Sequence, residues 1–108
     1  MPGSRRPGRP PKILDVLPRV RDGWAKGTYR DTRHAGERRA ERVIILPEIY
    51  QIVEGGFREP SKDEFKEEWQ AWNYAIRGKT IDGRRLRVAV SFDEEGWTLV
   101  ITAIDLDA

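Results

Sequence analysis

The feature that most constrains the fold is a set of three strand-like segments in the last third of the chain. They lie at 69–77, 84–93 and 97–106, and each is rich in β-branched and aromatic residues. The intervals between them contain Asp82-Gly83 and an acidic stretch, 93–96, that ends in glycine; both are typical of tight turns between antiparallel strands. The sequence therefore predicts an antiparallel meander of at least three strands.

A helical repeat of apolar residues begins at Ile13 and runs to Gly23, where the glycine can end a helix. Pro18 lies inside this run, and proline within a helix removes a backbone hydrogen bond. We therefore expect the helix to begin late, or to break or kink at Pro18. Residues 27–30 are expected to approach the next element in an extended conformation.

Two further helices are predicted before the strands. Asp31 and Thr32 are good N-cap residues for a helix over 33–42. Pro47 can occupy the first turn of another helix, which the glycines at 55–56 would end. The acidic stretch 59–68 is interpreted as an exposed loop or a short edge strand.

Helices followed by a meander of strands indicate an α+β fold. A chain of 108 residues has room for one domain with a modest core, which we place at residues 13–108. The N-terminal helices are expected to pack on one face of an antiparallel β-sheet of three to four strands.

Charge is distributed unevenly along the chain. Residues 1–42 contain 12 Lys and Arg against 5 Asp and Glu, which indicates an anionic partner, nucleic acid being the commonest; a basic surface that only aids solubility is the alternative. Residues 1–12 are rich in proline, glycine and arginine and are predicted to form a disordered basic arm. Within it, 8–12 looks like half of an AT-hook, which makes the arm a candidate for DNA contact.

Several classes of site and location are excluded by composition. The chain has no cysteine and one histidine, so a zinc site is not expected. The acidic residues at 93–95 offer too few convergent oxygens for a hard cation, and no metal or other cofactor is predicted. With no apolar run long enough to span a membrane and no signal-peptide pattern, we expect a cytoplasmic protein that does not contact membranes.

The turns also predict which strand residues are neighbours. A two-residue turn at Asp82-Gly83 places Tyr74 opposite Ser91, and a four-residue turn at 93–96 places Arg87 opposite Thr102. The face opposite the expected apolar layer then combines cations, hydroxyls and aromatic rings: Trp72, Tyr74, Arg85, Arg87, Ser91, Thr98 and Thr102. Such a surface suits RNA, although the solvated side of an antiparallel sheet has a similar composition.

The predicted helix over 33–42 contains the single histidine. His34, Arg38 and Arg42 are spaced by four residues and share one helix face, with Glu37 on its flank. Histidine exchanges protons near neutral pH, and arginines can stabilise negative charge on a phosphate. These residues could support metal-free RNA cleavage; an ordinary charged helix surface is the alternative.

The block Thr-Arg-His-Ala-x-Glu-Arg at 32–38, the helix ending in Gly-Gly and the closing Val-Ile-Thr strand at 100–102 resemble an uncharacterised bacterial and archaeal domain family. That family is usually placed beside the RelE, ParE and BrnT toxins. The resemblance implies a RelE-like toxin fold over residues 13–108, with His34, Glu37 and Arg38 on the helix and Thr102 on the last strand near any site.

The function predicted from these features is a toxin-like endoribonuclease of the mRNA interferase type, belonging to a type II toxin–antitoxin system. Its substrate would be RNA and its protein partner a cognate antitoxin. The predicted catalytic residues are His34, Glu37, Arg38 and Arg87. The predicted nucleic-acid contacts are Arg33, Tyr74, Arg85 and Thr102. The alternative is a non-catalytic module on the same fold that binds nucleic acid or protein.

Overall fold

The computed structural model of the chain describes residues 8–32, 36–37 and 43–107. The described elements, in chain order, are α1 (Val16–Lys26), β1 (Tyr29–Asp31), α2 (Leu46–Gly55), β2 (Phe57–Arg58), a 3₁₀ turn (Pro60–Lys62), β3 (Glu64–Lys66), β4 (Ala71–Lys79), β5 (Arg85–Phe92) and β6 (Thr98–Asp105). The fold is α+β, as predicted. Its sheet has six strands among these residues rather than three to four, because β1, β2 and β3 are too short to show a periodic pattern.

The sheet is open and mostly antiparallel, with the order β1-β6-β5-β4-β2. β1 pairs in parallel with β6, and β4, β5 and β6 form the predicted meander. β2 and β3 share the other edge of β4, β3 pairing near its start and β2 further along. The acidic stretch 59–68 thus contains an edge strand, one of its two predicted forms.

Both described helices begin and end where their sequence allows. α1 starts late, at Val16, so that Pro18 lies in the first turn, where backbone N–H groups have no helical partner in any case. Pro47 lies in the first turn of α2, and Glu48 accepts a hydrogen bond from the Ile45 N–H at 3.2 Å. No helix among the described residues is long and apolar enough to cross a membrane.

The core lies between the two helices and one face of the sheet. The helices contribute Val16, Val20, Ile49, Ile52 and Val53, and the strands contribute Tyr74, Ile76, Leu86, Val88, Val90, Val100 and Ala103. Gly56 brings the end of α2 against β4: a Cβ added there would lie 2.3 Å from the Ile52 carbonyl oxygen and 2.6 Å from that of Arg77. The predicted packing of helices on one sheet face is therefore present for α1 and α2.

The register predicted for the first hairpin is wrong by one residue. Tyr74 pairs with Val90 rather than with Ser91. The cause is a three-residue loop, 81–83, in place of a two-residue turn, with Gly83 in the left-handed region at φ +87°. Because side chains alternate along a strand, this shift turns Tyr74 and Ile76 towards the helices.

The second hairpin differs from its prediction in the same way. Phe92 pairs with Thr98 because Asp93 and Trp97 close a three-residue loop, 94–96, and a bulge beside Ala89 shifts the pairing once more along β6. Arg87 therefore lies opposite Ile104 rather than Thr102. Thr98, predicted on the polar face, is buried on the core side instead.

Candidate nucleic-acid interface

Four cationic side chains lie together on the sheet face that points away from the helices. β4 contributes Arg77 and Lys79, and β5 contributes Arg85 and Arg87. Arg77 is directly opposite Arg87, and Lys79 is directly opposite Arg85. We call these four residues the cationic face. Like charges at directly opposed positions destabilise an antiparallel pair, so two such pairs in succession carry a cost to folding.

Glu59, in the connection between β2 and the 3₁₀ turn, holds the two arginines that lie furthest from the hairpin loop. Arg87 Nε donates to Glu59 Oε1 at 2.6 Å, and Arg77 Nη1 donates to Glu59 Oε2 at 3.3 Å. The Glu59 side chain is 15% exposed and that of Arg87 20%. The hydrogen bond from Arg87 holds the pKa of Glu59 below its ordinary value; burial opposes this effect, and Arg77 adds to it.

The other pair of cations is more accessible. Arg85 donates from Nε to both carboxylate oxygens of Asp107, at 3.2 and 3.1 Å, and this ion pair is about half exposed. The hydrogen bond from Arg85 lowers the pKa of Asp107 from its ordinary value. Lys79 is exposed and has no ion-pair partner among the described residues.

An exposed aromatic ring lies beside these cations. Phe57 of β2 is directly opposite Arg77, on the same face, and its side chain is 57% exposed. A shallow cavity of about 390 Å³ is lined by Gly55, Phe57, Arg77, Gly78, Lys79 and Arg85. A ring on which a base can stack, next to cations that can bind phosphates, is a combination that suits single-stranded nucleic acids.

Three of the predicted site residues on the strands share this face. Arg85 and Arg87 belong to it, and Thr102 pairs with Ala89 on the same side of the sheet. Tyr74 does not: its side chain lies on the core side and is 4% exposed. Its hydroxyl accepts a hydrogen bond from the Ile13 N–H at 2.9 Å. The stacking role predicted for Tyr74 is therefore wrong, because the one-residue shift of the first hairpin buries the ring.

The histidine segment is described only in part. Gly36 and Glu37 are helical, the Gly36 N–H donates to the Thr32 carbonyl at 3.0 Å, and Glu37 is exposed. His34, Arg33 and Arg38 lie outside the described residues, as does most of the predicted helix over 33–42. The approach of His34 to Arg87, on which the predicted chemistry depends, stays a prediction.

In the acidic turn at 93–96, the Asp93 carboxylate accepts hydrogen bonds from the backbone. Asp93 Oδ1 accepts hydrogen bonds from the N–H groups of Glu95 and Trp97, at 3.0 and 2.8 Å, and Oδ2 lies 3.4 Å from Arg30. Throughout residues 8–32, 36–37 and 43–107, no group of three or more His, Asp or Glu side chains could hold a metal ion.

Fold and site together define a small α+β domain whose open sheet face is cationic. The chain belongs to the family described as Domain of unknown function (DUF4258), whose model matches residues 32–105. This match confirms the predicted membership of an uncharacterised domain family. It leaves residues 1–31, which include α1 and β1, outside the matched region. No curated protein and no solved structure matches the chain.

Proposed function

We propose that this protein is a toxin-like, metal-independent endoribonuclease that binds RNA on the cationic face. The observation that carries the proposal is that the four cations form two directly opposed pairs, Arg77 with Arg87 and Lys79 with Arg85. Glu59 and Asp107 offset part of their repulsion, and phosphates of a bound strand would offset the rest. The proposal includes a relation to the RelE, ParE and BrnT toxins. It also includes a cognate antitoxin that covers the cationic face.

The binding step follows from the exposure of each group. Lys79 and Arg85 are the more accessible cations and would meet phosphates first, while Phe57 would stack on an unpaired base. Arg77 and Arg87 are held in place by Glu59, and a bound phosphate would compete with that carboxylate for their N–H groups.

The cleavage step assigned to this surface needs no metal. His34, as general base, would take the proton of a ribose 2′-hydroxyl, whose oxygen attacks the adjacent phosphorus. The bond from phosphorus to the 5′-oxygen breaks, and that oxygen accepts a proton from water, which leaves a 2′,3′-cyclic phosphate and a 5′-hydroxyl. The protonated His34 then returns its proton to the solvent. Arg38 and Arg87 would stabilise the charge on the phosphate, and Glu37 would orient His34 or Arg38.

The test is cleavage of a labelled RNA by the purified protein in the presence of EDTA. We expect His34→Ala to abolish cleavage and to leave RNA affinity within about twofold of the wild type, because the cationic face is intact. As a matched control, Arg19→Ser removes an exposed cation of α1, remote from the sheet face, and should change neither quantity. Undiminished cleavage by the His34→Ala protein would refute the assigned role of the histidine.

A non-catalytic nucleic-acid-binding module is the second candidate. The observation that favours it is that Arg87, a predicted catalytic residue, already donates to Glu59 at 2.6 Å and is only 20% exposed. An arginine held in this way suits a fixed binding platform. This function predicts salt-dependent RNA binding with no product after prolonged incubation, and Phe57→Ser would then weaken binding without any catalytic effect to measure.

A further inference from the structure

Residues 9–12, the end of the segment predicted as a disordered arm, lie against the edge of the sheet at β3 and β4. The indole Nε1 of Trp72 donates to the Pro10 carbonyl at 2.8 Å. The Arg9 guanidinium lies 5.0 Å from the centroid of the Phe65 ring and 5.9 Å from that of Trp72. The Lys12 ammonium lies 4.8 Å from the Trp72 ring. Each of these contacts is of a kind that stabilises peptide binding.

A buried carboxylate anchors the same segment. Asp63 follows the 3₁₀ turn, its side chain is fully buried, and its Oδ2 lies 3.0 Å from Lys12 Nζ. Arg58 donates to both Asp63 oxygens, at 3.0 and 2.7 Å, and the Ala75 N–H donates to Oδ1 at 2.8 Å. Three of these four contacts come from within the folded domain, so the carboxylate is held in place whether or not Lys12 is present.

The groove has the form of a recognition site for a proline-rich peptide. Phe65 and Trp72 meet edge to face, with ring centroids 5.4 Å apart, and the indole donor points at a peptide carbonyl. Two adjacent prolines hold a peptide extended at little entropic cost, and aromatic grooves elsewhere bind proline-rich segments for this reason. An acidic group at the end of the groove selects for a cation in the peptide.

Much of the docked segment stays accessible to solvent, which favours its exchange for another peptide. Residues 8–11 stay exposed even though they are docked, so little apolar area is buried by their contacts. Asp63, Phe65 and Trp72 lie inside the family-matched region 32–105, whereas the docked segment lies before it.

We propose that Asp63, Phe65 and Trp72 form a binding site for peptides of the type Arg-Pro-Pro-Lys, which residues 9–12 of this chain occupy in cis. A partner protein that presents such a segment would bind by displacing the arm. Displacement would release Arg9 and Lys12, the two described cations of the AT-hook-like segment, so the predicted DNA contact through the arm requires the undocked state.

The test uses a fluorescent peptide with the sequence of residues 7–14 and the full-length chain. In the wild type the arm competes at an effective concentration on the order of millimolar. In the double variant Arg9→Ser/Lys12→Ser that competition is weakened, and we expect the peptide to bind at least tenfold more tightly, by fluorescence anisotropy. Arg19→Ser/Lys26→Ser removes two exposed cations from α1 and is the matched control; it should bind the peptide as the wild type does.

Specificity is tested in the Arg9→Ser/Lys12→Ser background. Adding Trp72→Phe keeps a ring but removes the indole donor, and we expect at least a tenfold loss of peptide affinity. A peptide in which serine replaces the lysine should lose affinity to a similar degree, because Asp63 then has no cation to pair with. Asp63→Asn is the complementary variant, checked by near-ultraviolet circular dichroism because Asp63 also contacts Arg58 and Ala75.

Two results would overturn the proposal. One is equal peptide affinity of the wild type and the Arg9→Ser/Lys12→Ser protein. The other is binding that is indifferent both to Trp72→Phe and to replacement of the peptide lysine. The measurements with Trp72→Phe and with the lysine-substituted peptide test the proposal even if Asp63→Asn unfolds the domain.

Discussion

Replacing Glu59 by glutamine should lower the stability of the protein and strengthen its binding to RNA. Glu59 is the only described carboxylate that bonds both Arg77 and Arg87, which are directly opposite one another on β4 and β5. Glutamine offers one acceptor oxygen and no charge. The substitution therefore leaves two cations facing each other, and it also removes an anion that repels phosphates.

The loss of stability can be sized from the two hydrogen bonds. The bond from Arg87 is short, at 2.6 Å, and that from Arg77 is long, at 3.3 Å, so the first contributes most of the effect. For a partly exposed, charge-assisted contact we expect a loss of about 1–2 kcal/mol in the free energy of unfolding. In a domain of this size that corresponds to a fall in Tm of about 5–15 °C.

The gain in RNA affinity has a similar origin. A carboxylate about 4 Å from a phosphate costs about 1 kcal/mol in water, so its removal should tighten binding about fivefold at low salt. Urea denaturation measures the first effect and fluorescence anisotropy with a labelled RNA measures the second. Glu68→Gln, which makes the same change of charge at an exposed position of the β3–β4 connection, should alter stability little. Loss of RNA affinity in Glu59→Gln would refute the idea that Glu59 competes with phosphate.

Three further outcomes are expected. Burial disfavours ionisation of Asp63, but Arg58, the Ala75 N–H and Lys12 together hold its pKa below the ordinary value. The ionised Asp63 therefore contributes to stability above about pH 3.9, and this contribution is lost as pH falls below that value. Thermal melts of Asp63→Asn should show a weaker pH dependence in this range than those of the wild type. Gly83→Ala, at φ +87°, should lower the free energy of unfolding by about 1–2 kcal/mol, as measured by urea denaturation. Gly55→Ala, where an added Cβ meets nothing within 4 Å, should leave that free energy unchanged or raise it. Equal effects of the two substitutions would contradict the assigned loop geometry. Phe57→Ser should weaken RNA binding without loss of stability, because the ring is exposed. Tyr74→Phe should lower stability by about 1 kcal/mol, because the Ile13 N–H loses its acceptor, and should leave RNA binding unchanged. Undiminished RNA binding by the Phe57→Ser protein would contradict the assignment of Phe57 as the stacking ring.

The two helices and the three long strands follow from local sequence signals, but the side-chain neighbours do not. Apolar periodicity and the prolines at 18 and 47 are enough to place α1 and α2. Asp82-Gly83 identifies a turn, but a dipeptide does not distinguish a two-residue turn from a three-residue loop with its glycine in the left-handed region. That single residue decides which face of the sheet Tyr74 occupies.

The candidate site can be predicted from the sequence only in part. Arg85 and Arg87 alternate within one strand, and their common face follows from the period of two. Arg77 is not predicted because the wrong register assigns it to the apolar layer, and Lys79 is not predicted because the expected strand ends at residue 77, two residues short of the observed end. Phe57 lies in a strand of two residues, which is too short for any periodic signal.

The docking of the arm had no local signal at all. A segment rich in proline, glycine and arginine has the composition of a disordered chain. Its binding groove is formed by Asp63 and Trp72, about fifty to sixty residues later in the sequence. Only the folded arrangement of β3 and β4 brings these groups together.

The claim that RNA phosphates bind to the cationic face is tested most directly by the salt dependence of RNA affinity. For single strands, the slope of log affinity against log salt concentration changes by about 0.7 for each phosphate contact. We predict that Lys79→Ser/Arg85→Ser flattens the wild-type slope by about 1.4 and that Arg19→Ser/Lys26→Ser leaves it unchanged. An identical slope for the wild type and Lys79→Ser/Arg85→Ser would contradict the assignment of this face as the RNA-binding surface.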